Sequence, residues 1–182
     1  NRTSSNRFSS RPRNNRNKKG AQSIDPRRFV KPAKAVEVEV YQSEHKFSDF
    51  AINDLLKTNL VDRGYVTPTK VQDQSIPIVL QGKDVVGIAN TGTGKTAAFL
   101  LPTLNKLMSN RSEKVLIIAP TRELAIQIEQ ECRVFAKGSG LSGVLLIGGV
   151  PIGPQLRNLR SNPEVIIGTP GRIKDHIERG TL

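Results

Sequence analysis

From Phe47 onward, apolar and polar positions follow two rhythms. Four short runs, Val85 to Ala89, Val115 to Ala119, Val144 to Ile147 and Val165 to Ile167, are rich in Val and Ile with no charged interruption. Such runs fit strands buried on both faces of a sheet. Between them apolar residues recur at helical spacing. Phe99, Leu100, Leu104 and Leu107 share one face after the first run, and Leu124, Ile128, Cys132 and Phe135 share one after the second. Two further helices precede the first run: one holds Phe50, Leu55, Leu56 and Leu60, and the other begins at Thr67-Pro68, where Thr caps and Pro suits the first helical position. A last helix carries His176. Alternating strand and helix predicts an α/β fold, a parallel sheet flanked by helices and joined by right-handed crossovers.

The charge changes the picture at the N-terminal end. The 182 residues carry 28 Lys and Arg against 16 Asp and Glu, a formal net charge of +12. Residues 1–34 hold eleven of the basic residues and a single acid, Asp25. With Phe8 as the one aromatic in its first 20 residues, this Asn-, Arg-, Ser- and Lys-rich stretch has too little apolar surface to offset its ordering entropy. Residues 1–46 therefore read as a disordered basic tail and linker, and 47–182 as the folded domain. Val36, Val38 and Val40 alternate with Glu37 and Glu39, as in a short edge strand or an extended connector. The tail's charge suits a polyanion such as a nucleic acid, bound without regard to sequence in contacts that weaken steeply with salt; a solubilising linker is the plainer alternative.

Other features narrow the class. The longest purely apolar run is about five residues, against roughly 20 for a membrane-spanning helix, so no membrane partner is expected. The single cysteine, Cys132, excludes an internal disulfide framework and a multi-thiolate zinc site, and it falls on an apolar helix face as inert core. A reducing, cytoplasmic setting is expected. The first residue is Asn with no apolar leader after it, which suggests a fragment.

The sharpest chemical signal follows the first run. Ala89-Asn90-Thr91-Gly92-Thr93-Gly94-Lys95-Thr96 sits between a predicted strand and a predicted helix. Glycines let the backbone curl so that several N–H groups converge on one anion, and the helix N-terminus adds partial positive charge. Lys95 then reaches the β and γ phosphates, and the Thr96 hydroxyl ligates Mg²⁺. A Gly-rich turn without ligand is the bland alternative. The general pattern opens with Gly, where this chain has Ala89.

Further segments resemble the DEAD-box family of ATP-dependent RNA helicases. Gly64-Tyr65-Val66-Thr67-Pro68-Thr69-Lys70-Val71-Gln72, with Ile76-Pro77 after it and Phe47 before it, is similar to the Q motif, which the resemblance places over 47–75. Ala89 to Thr96 resembles motif I, which opens with Ala in that family. Asn90 and Thr93 stand where Gln and Ser are commoner. Pro120-Thr121-Arg122-Glu123-Leu124-Ala125 resembles motif Ia, Gly148-Gly149 the GG doublet, and Thr169-Pro170-Gly171-Arg172 motif Ib.

The resemblance implies an incomplete RecA-like P-loop domain that binds ATP and Mg²⁺. The nucleotide would meet Phe47, Tyr65, Thr69, Gln72 and the loop Ala89 to Thr96, with Lys95 and Thr96 as the catalytic residues present. The Gln72 carboxamide matches the N6 donor and N7 acceptor of adenine, and Phe47 would stack on the base; a helix-surface Gln and a packing Phe are the alternatives. One RNA strand would be gripped by its backbone through Pro120, Thr121, Arg122, Gly148, Gly149, Thr169, Pro170, Gly171 and Arg172, without reading sequence. The alternative for Arg122 is an ion pair with Glu123, Glu129 or a neighbouring helix. Glu123, at a helix start, reads as structural, and His45 and His176 as surface residues. The family's Asp-Glu-Ala-Asp motif and second domain lie beyond Leu182, so ATP hydrolysis and duplex unwinding by domain closure are expected of the parent protein and not of these residues alone. The rival reading is a non-catalytic RNA-binding fragment acting through its basic tail.

Overall fold

A computed structural model describes residues 41–182. The expectations for the tail over 1–40, including the Val36 to Val40 alternation, lie outside the described residues. After a short 3-10 turn at Phe47–Asp49 come α1 (Asp54–Asp62), α2 (Lys70–Leu80) and α3 (Lys95–Ser109). Then follow β1 (Val115–Ile118), α4 (Arg122–Phe135), β2 (Gly143–Leu146), α5 (Ile152–Arg160), β3 (Val165–Gly168) and α6 (Pro170–Glu178). The strands form a parallel sheet in the order β1-β3-β2, with Val115 and Gly143 both in register with Val165. No helix among the described residues is long and apolar enough to cross a membrane.

Strand periodicity divides the core into two layers. Val165 and Ile167 of β3 point into the larger cluster with Leu56, Leu60, Leu100, Leu104, Ile128 and Phe135, which joins α1, α3 and α4. Ile166 points the other way, with Val144, Leu146 and Ile173 and, at the margin, Leu159. Every residue of the central strand is buried, whereas edge strand β1 half-buries Val115 and Ile117 and leaves Leu116 and Ile118 46% and 57% exposed. Helices thus cover both faces, α1 to α4 on one and α5 and α6 on the other.

Three of the four expected strands form. Val85 to Ala89 pairs with no described strand, and Val86 and Ile88 are 92% and 97% exposed. β-branched residues favour an extended chain, but a strand exists only where a neighbour supplies a hydrogen-bonded ladder. This run lies beside α2 instead, with Gly87 against Val71. An apolar slot of about 460 Å³ lined by Val71, Val79, Val85, Phe99, Leu124 and Ile128 runs alongside it.

The second helix begins later than the Thr67-Pro68 signal. Thr69 is its N-cap, and the Oε1 of Gln72 accepts the Thr69 backbone N–H at 2.9 Å, half of a capping box that moves the start by two residues. Residues 41–46, read as linker, are instead fastened to α2 through Asp73. Cys132 is buried in the core, and burial pushes its thiol up to about 11, which keeps it unreactive.

Candidate functional site

The loop expected to cradle phosphate connects the unpaired run to α3. Gly94 is the N-cap of α3 with φ +87°, and Gly92 has φ +78°, left-handed values that other residues rarely adopt. A Cβ at Gly94 would run into the amide of Gln72. The loop is curled around its own lysine: Lys95 Nζ donates to the carbonyls of Ala89 and Asn90, the latter at 2.6 Å. The Thr93 hydroxyl donates to the Asn90 carbonyl at 2.8 Å, and the Thr69 hydroxyl to the Thr93 carbonyl at 2.7 Å. Thr96 follows on the first turn of α3, in the wall of a cleft of about 380 Å³ shared with Tyr65, Thr91, Gly92, Gly94 and Lys95.

Gln72 is 1% exposed, which rules out a helix-surface role. Its Nε2 donates to the Gly94 carbonyl at 3.1 Å while Oε1 receives Thr69 N–H. A carboxamide has two donors and two lone pairs, so one of each stays uncommitted among the described residues. Phe47 is 6% exposed and lies edge-on to Phe50 and Tyr65, with ring centroids 5.9 and 5.8 Å apart. It packs in the core cluster, so the packing role read as its alternative is met, and in this arrangement it offers no open face to a base. Burial holds the Tyr65 phenol above its usual value, reinforced by Glu131.

The residues of the second group meet at the carboxyl ends of β1, β2 and β3, where open parallel sheets place their ligands. The Thr121 side chain caps α4 by accepting Leu124 N–H at 3.2 Å. Thr169 is the N-cap of α6, with Pro170 at its first position. Two helix N-termini, those of α4 and α6, therefore begin beside the same cleft of about 600 Å³, whose walls include Pro120, Arg122, Gly148, Gly171, Arg172 and the carboxylate of Glu123. Arg122 lies across the Gly148–Gly149 doublet, and a Cβ at Gly149, where φ is +78°, would displace its guanidinium. Among the described residues Arg122 forms no ion pair, and Glu129 pairs with Arg133. Arg172 donates through Nη1 and Nη2 to the Val150 carbonyl, both at 3.3 Å, and lies 3.7 Å from Asp175.

Several residues that support the site carry no mark in the sequence. His176, expected at the surface, is fully buried: Nδ1 lies 2.9 Å from the Thr181 hydroxyl and Nε2 faces Gln155. Gln155 Nε2 donates to the Ile147 carbonyl at 3.1 Å, which braces the doublet from behind. Burial, and next Arg172, pull the His176 pKa below its ordinary value. His45, also read as a surface residue, reaches Asp73 at 2.7 Å. Nothing in the sequence pattern singled out Asp73. Among the described residues no group of three or more His, Cys, Asp or Glu is arranged to hold a metal ion.

The comparisons with known proteins bear on this pair of clefts. The DEAD/DEAH box helicase family model matches residues 69–182, more than half of the chain. The chain belongs to that family. The ATP-dependent RNA helicase DeaD of Buchnera aphidicola subsp. Acyrthosiphon pisum (strain APS) is 45% identical over 141 residues, 76% of this chain and 24% of that protein. A DEAD box protein of the hyperthermophile Methanococcus jannaschii has a similar crystal structure, with TM-score 0.71 and 37% identity over 75% of this chain and 38% of that one. A hypothetical ATP-dependent RNA helicase from Sulfolobus tokodaii gives TM-score 0.67 and 34% identity over 72% and 38%. The chain thus spans about a quarter to two fifths of the length of these relatives. Its three-stranded parallel sheet with helices on both faces is part of the RecA-like fold that the expectation named.

Proposed function

We propose that these residues form the ATP-binding half, and part of the RNA-binding surface, of an ATP-dependent RNA helicase that remodels duplexes by ATP-driven domain closure. The observation that carries this reading is the glycine loop at the N-terminus of α3, tied to the buried Gln72 by a hydrogen bond to Gly94. A triphosphate suits this donor set, because loop N–H groups, the α3 N-terminus and Lys95 all favour anionic oxygens. Lys95 must first leave the carbonyls of Ala89 and Asn90, so binding and loop opening are linked. On this reading Thr96, on the first turn of α3, would hold Mg²⁺, which when bound supplies charge neutralisation between phosphates. Arg122, Arg172 and the N-termini of α4 and α6 suit the phosphates of a single RNA strand, contacted without regard to base. The relatives' names support the same substrates. A cytoplasmic setting, and the division into a basic tail over 1–46 and a domain from 47, belong to this reading as well.

The loop assignment is checked by titrating the chain with MgATP and MgGTP. Wild type is expected to prefer ATP, and Lys95→Ala to lose about a hundredfold in ATP affinity with its circular dichroism unchanged. Unaltered affinity in that variant refutes the loop assignment; equal affinity for GTP refutes the adenine-reading role of Gln72.

A further inference from the structure

Two adjacent residues in the first turn of α2 hold opposite sides of the candidate nucleotide site. Gln72 is latched to the phosphate loop through Gly94. Asp73, 3% exposed, is latched to the segment that leads into Phe47. Its Oδ2 accepts the Tyr41 hydroxyl at 2.6 Å and the backbone N–H of Glu44 at 2.8 Å, and its Oδ1 faces His45 Nδ1 at 2.7 Å. The Lys70 ammonium, also on α2, sits 5.9 Å from the centre of the Tyr41 ring. A buried carboxylate is costly unless its lone pairs are filled, and here all three partners come from one five-residue stretch. That stretch runs on through Lys46, whose N–H donates to Asp49 at 2.8 Å, into the turn that carries Phe47. His45 also lies 5.7 Å from Phe50, which in turn packs on Phe47.

We propose that Asp73 is a positioning residue for base recognition: it fastens the Tyr41–His45 strap to the first turn of α2, next to Gln72, so that the Gln72 carboxamide keeps the fixed orientation a purine edge needs. The proposal rests on the reading of the loop as an ATP site. Its physical content is preorganisation, since a strap already in place need not be ordered by the nucleotide. The triphosphate meets the loop alone, whereas the base meets the loop's neighbours. Loosening the strap therefore weakens recognition of the base and leaves recognition of the phosphates intact.

The test uses the whole chain and two probes, MgATP and magnesium tripolyphosphate, titrated calorimetrically into wild type, Asp73→Asn and the double variant Tyr41→Phe/His45→Ala. The double variant removes the side-chain donors without touching α2, and so covers the case in which Asp73→Asn fails to fold. The expected result is an ATP affinity lowered about tenfold in the variants, with tripolyphosphate affinity equal to that of wild type and a smaller preference for ATP over GTP. Equal losses for both probes overturn the proposal, because the strap then acts on the whole loop. Unchanged ATP affinity in the folded variants overturns it too. If wild type binds neither probe, the loop reading itself falls and takes the proposal with it, a result distinct from the other two.

Discussion

Asp73 gathers three hydrogen-bonding partners from one short stretch of chain. Burial alone would raise its pKa, but the Tyr41 hydroxyl, Glu44 N–H and His45 favour the anion more strongly and bring it down to about 2. The same contact pushes the Tyr41 phenol up to about 12. A carboxyl whose folded pKa lies below its ordinary 3.8 binds protons more readily in the unfolded chain. Its stabilisation is complete above that ordinary value and is lost as pH falls towards about 2. Glu44 and Lys70 share the neighbourhood. The difference in urea midpoint between wild type and Asp73→Asn is expected to be constant at neutral pH and to shrink through that acid window. A difference that grows on acidification contradicts the assignment. At this scale the sequence was a mixed guide. The side chains of the glycine loop announced themselves, because few other uses exist for that spacing. Asp73, His45 and His176 did not, because their roles depend on partners 28 residues away for His45 and 21 for His176, a distance that local pattern cannot bridge.

Among elements, α1 and α4 are joined by a polar clasp inside an apolar contact. Asn59, 6% exposed, donates through Nδ2 to the carbonyls of Phe135 and Lys137, at 2.7 and 2.9 Å. The Phe135 carbonyl is among those that a helix leaves without partners at its C-terminal end, and Lys137 lies just past the Ala136 cap. Asn59→Ala is expected to lower unfolding free energy by about 1–3 kcal/mol, since it strands buried acceptors; a chemical-denaturation curve that coincides with wild type would refute this. Helix faces were legible where apolar residues recur at three and four: Leu100, Leu104 and Leu107, and Ile128, Cys132 and Phe135, are all buried, although Leu124, expected on the second face, is 36% exposed. Strands were legible only as candidates. Val165 to Ile167 and Val85 to Ala89 are both rich in Val and Ile, yet the first lies between two neighbours and the second beside a helix. Extended preference is local, while the ladder that makes a strand is not.

Across the molecule, charge and topology point to the same side of the sheet. Arg122 and Arg172 come from different strand ends and meet over one cleft, together with the N-termini of α4 and α6. If these groups hold phosphates, losing one has the same effect on every RNA sequence. Arg172→Ala is expected to weaken binding to single-stranded homopolymers by a common factor and to reduce the salt slope by about 0.7, the value for one phosphate contact on a single strand. Fluorescence anisotropy at several salt concentrations measures both quantities, and a loss confined to one base composition contradicts the backbone role. The ends of the parallel strands could be located from the order of the runs alone. That Arg122 drapes over Gly148 and Gly149 could not, since it requires the crossover through β3.

The bare Val86 and Ile88 have a consequence for how this polypeptide behaves in a tube. Two oily teeth on an extended backbone with free amides are the template on which another copy can stack, edge to edge. Concentrating or warming a pure sample should therefore drive clumping that begins at this stretch, well before the rest of the molecule unfolds.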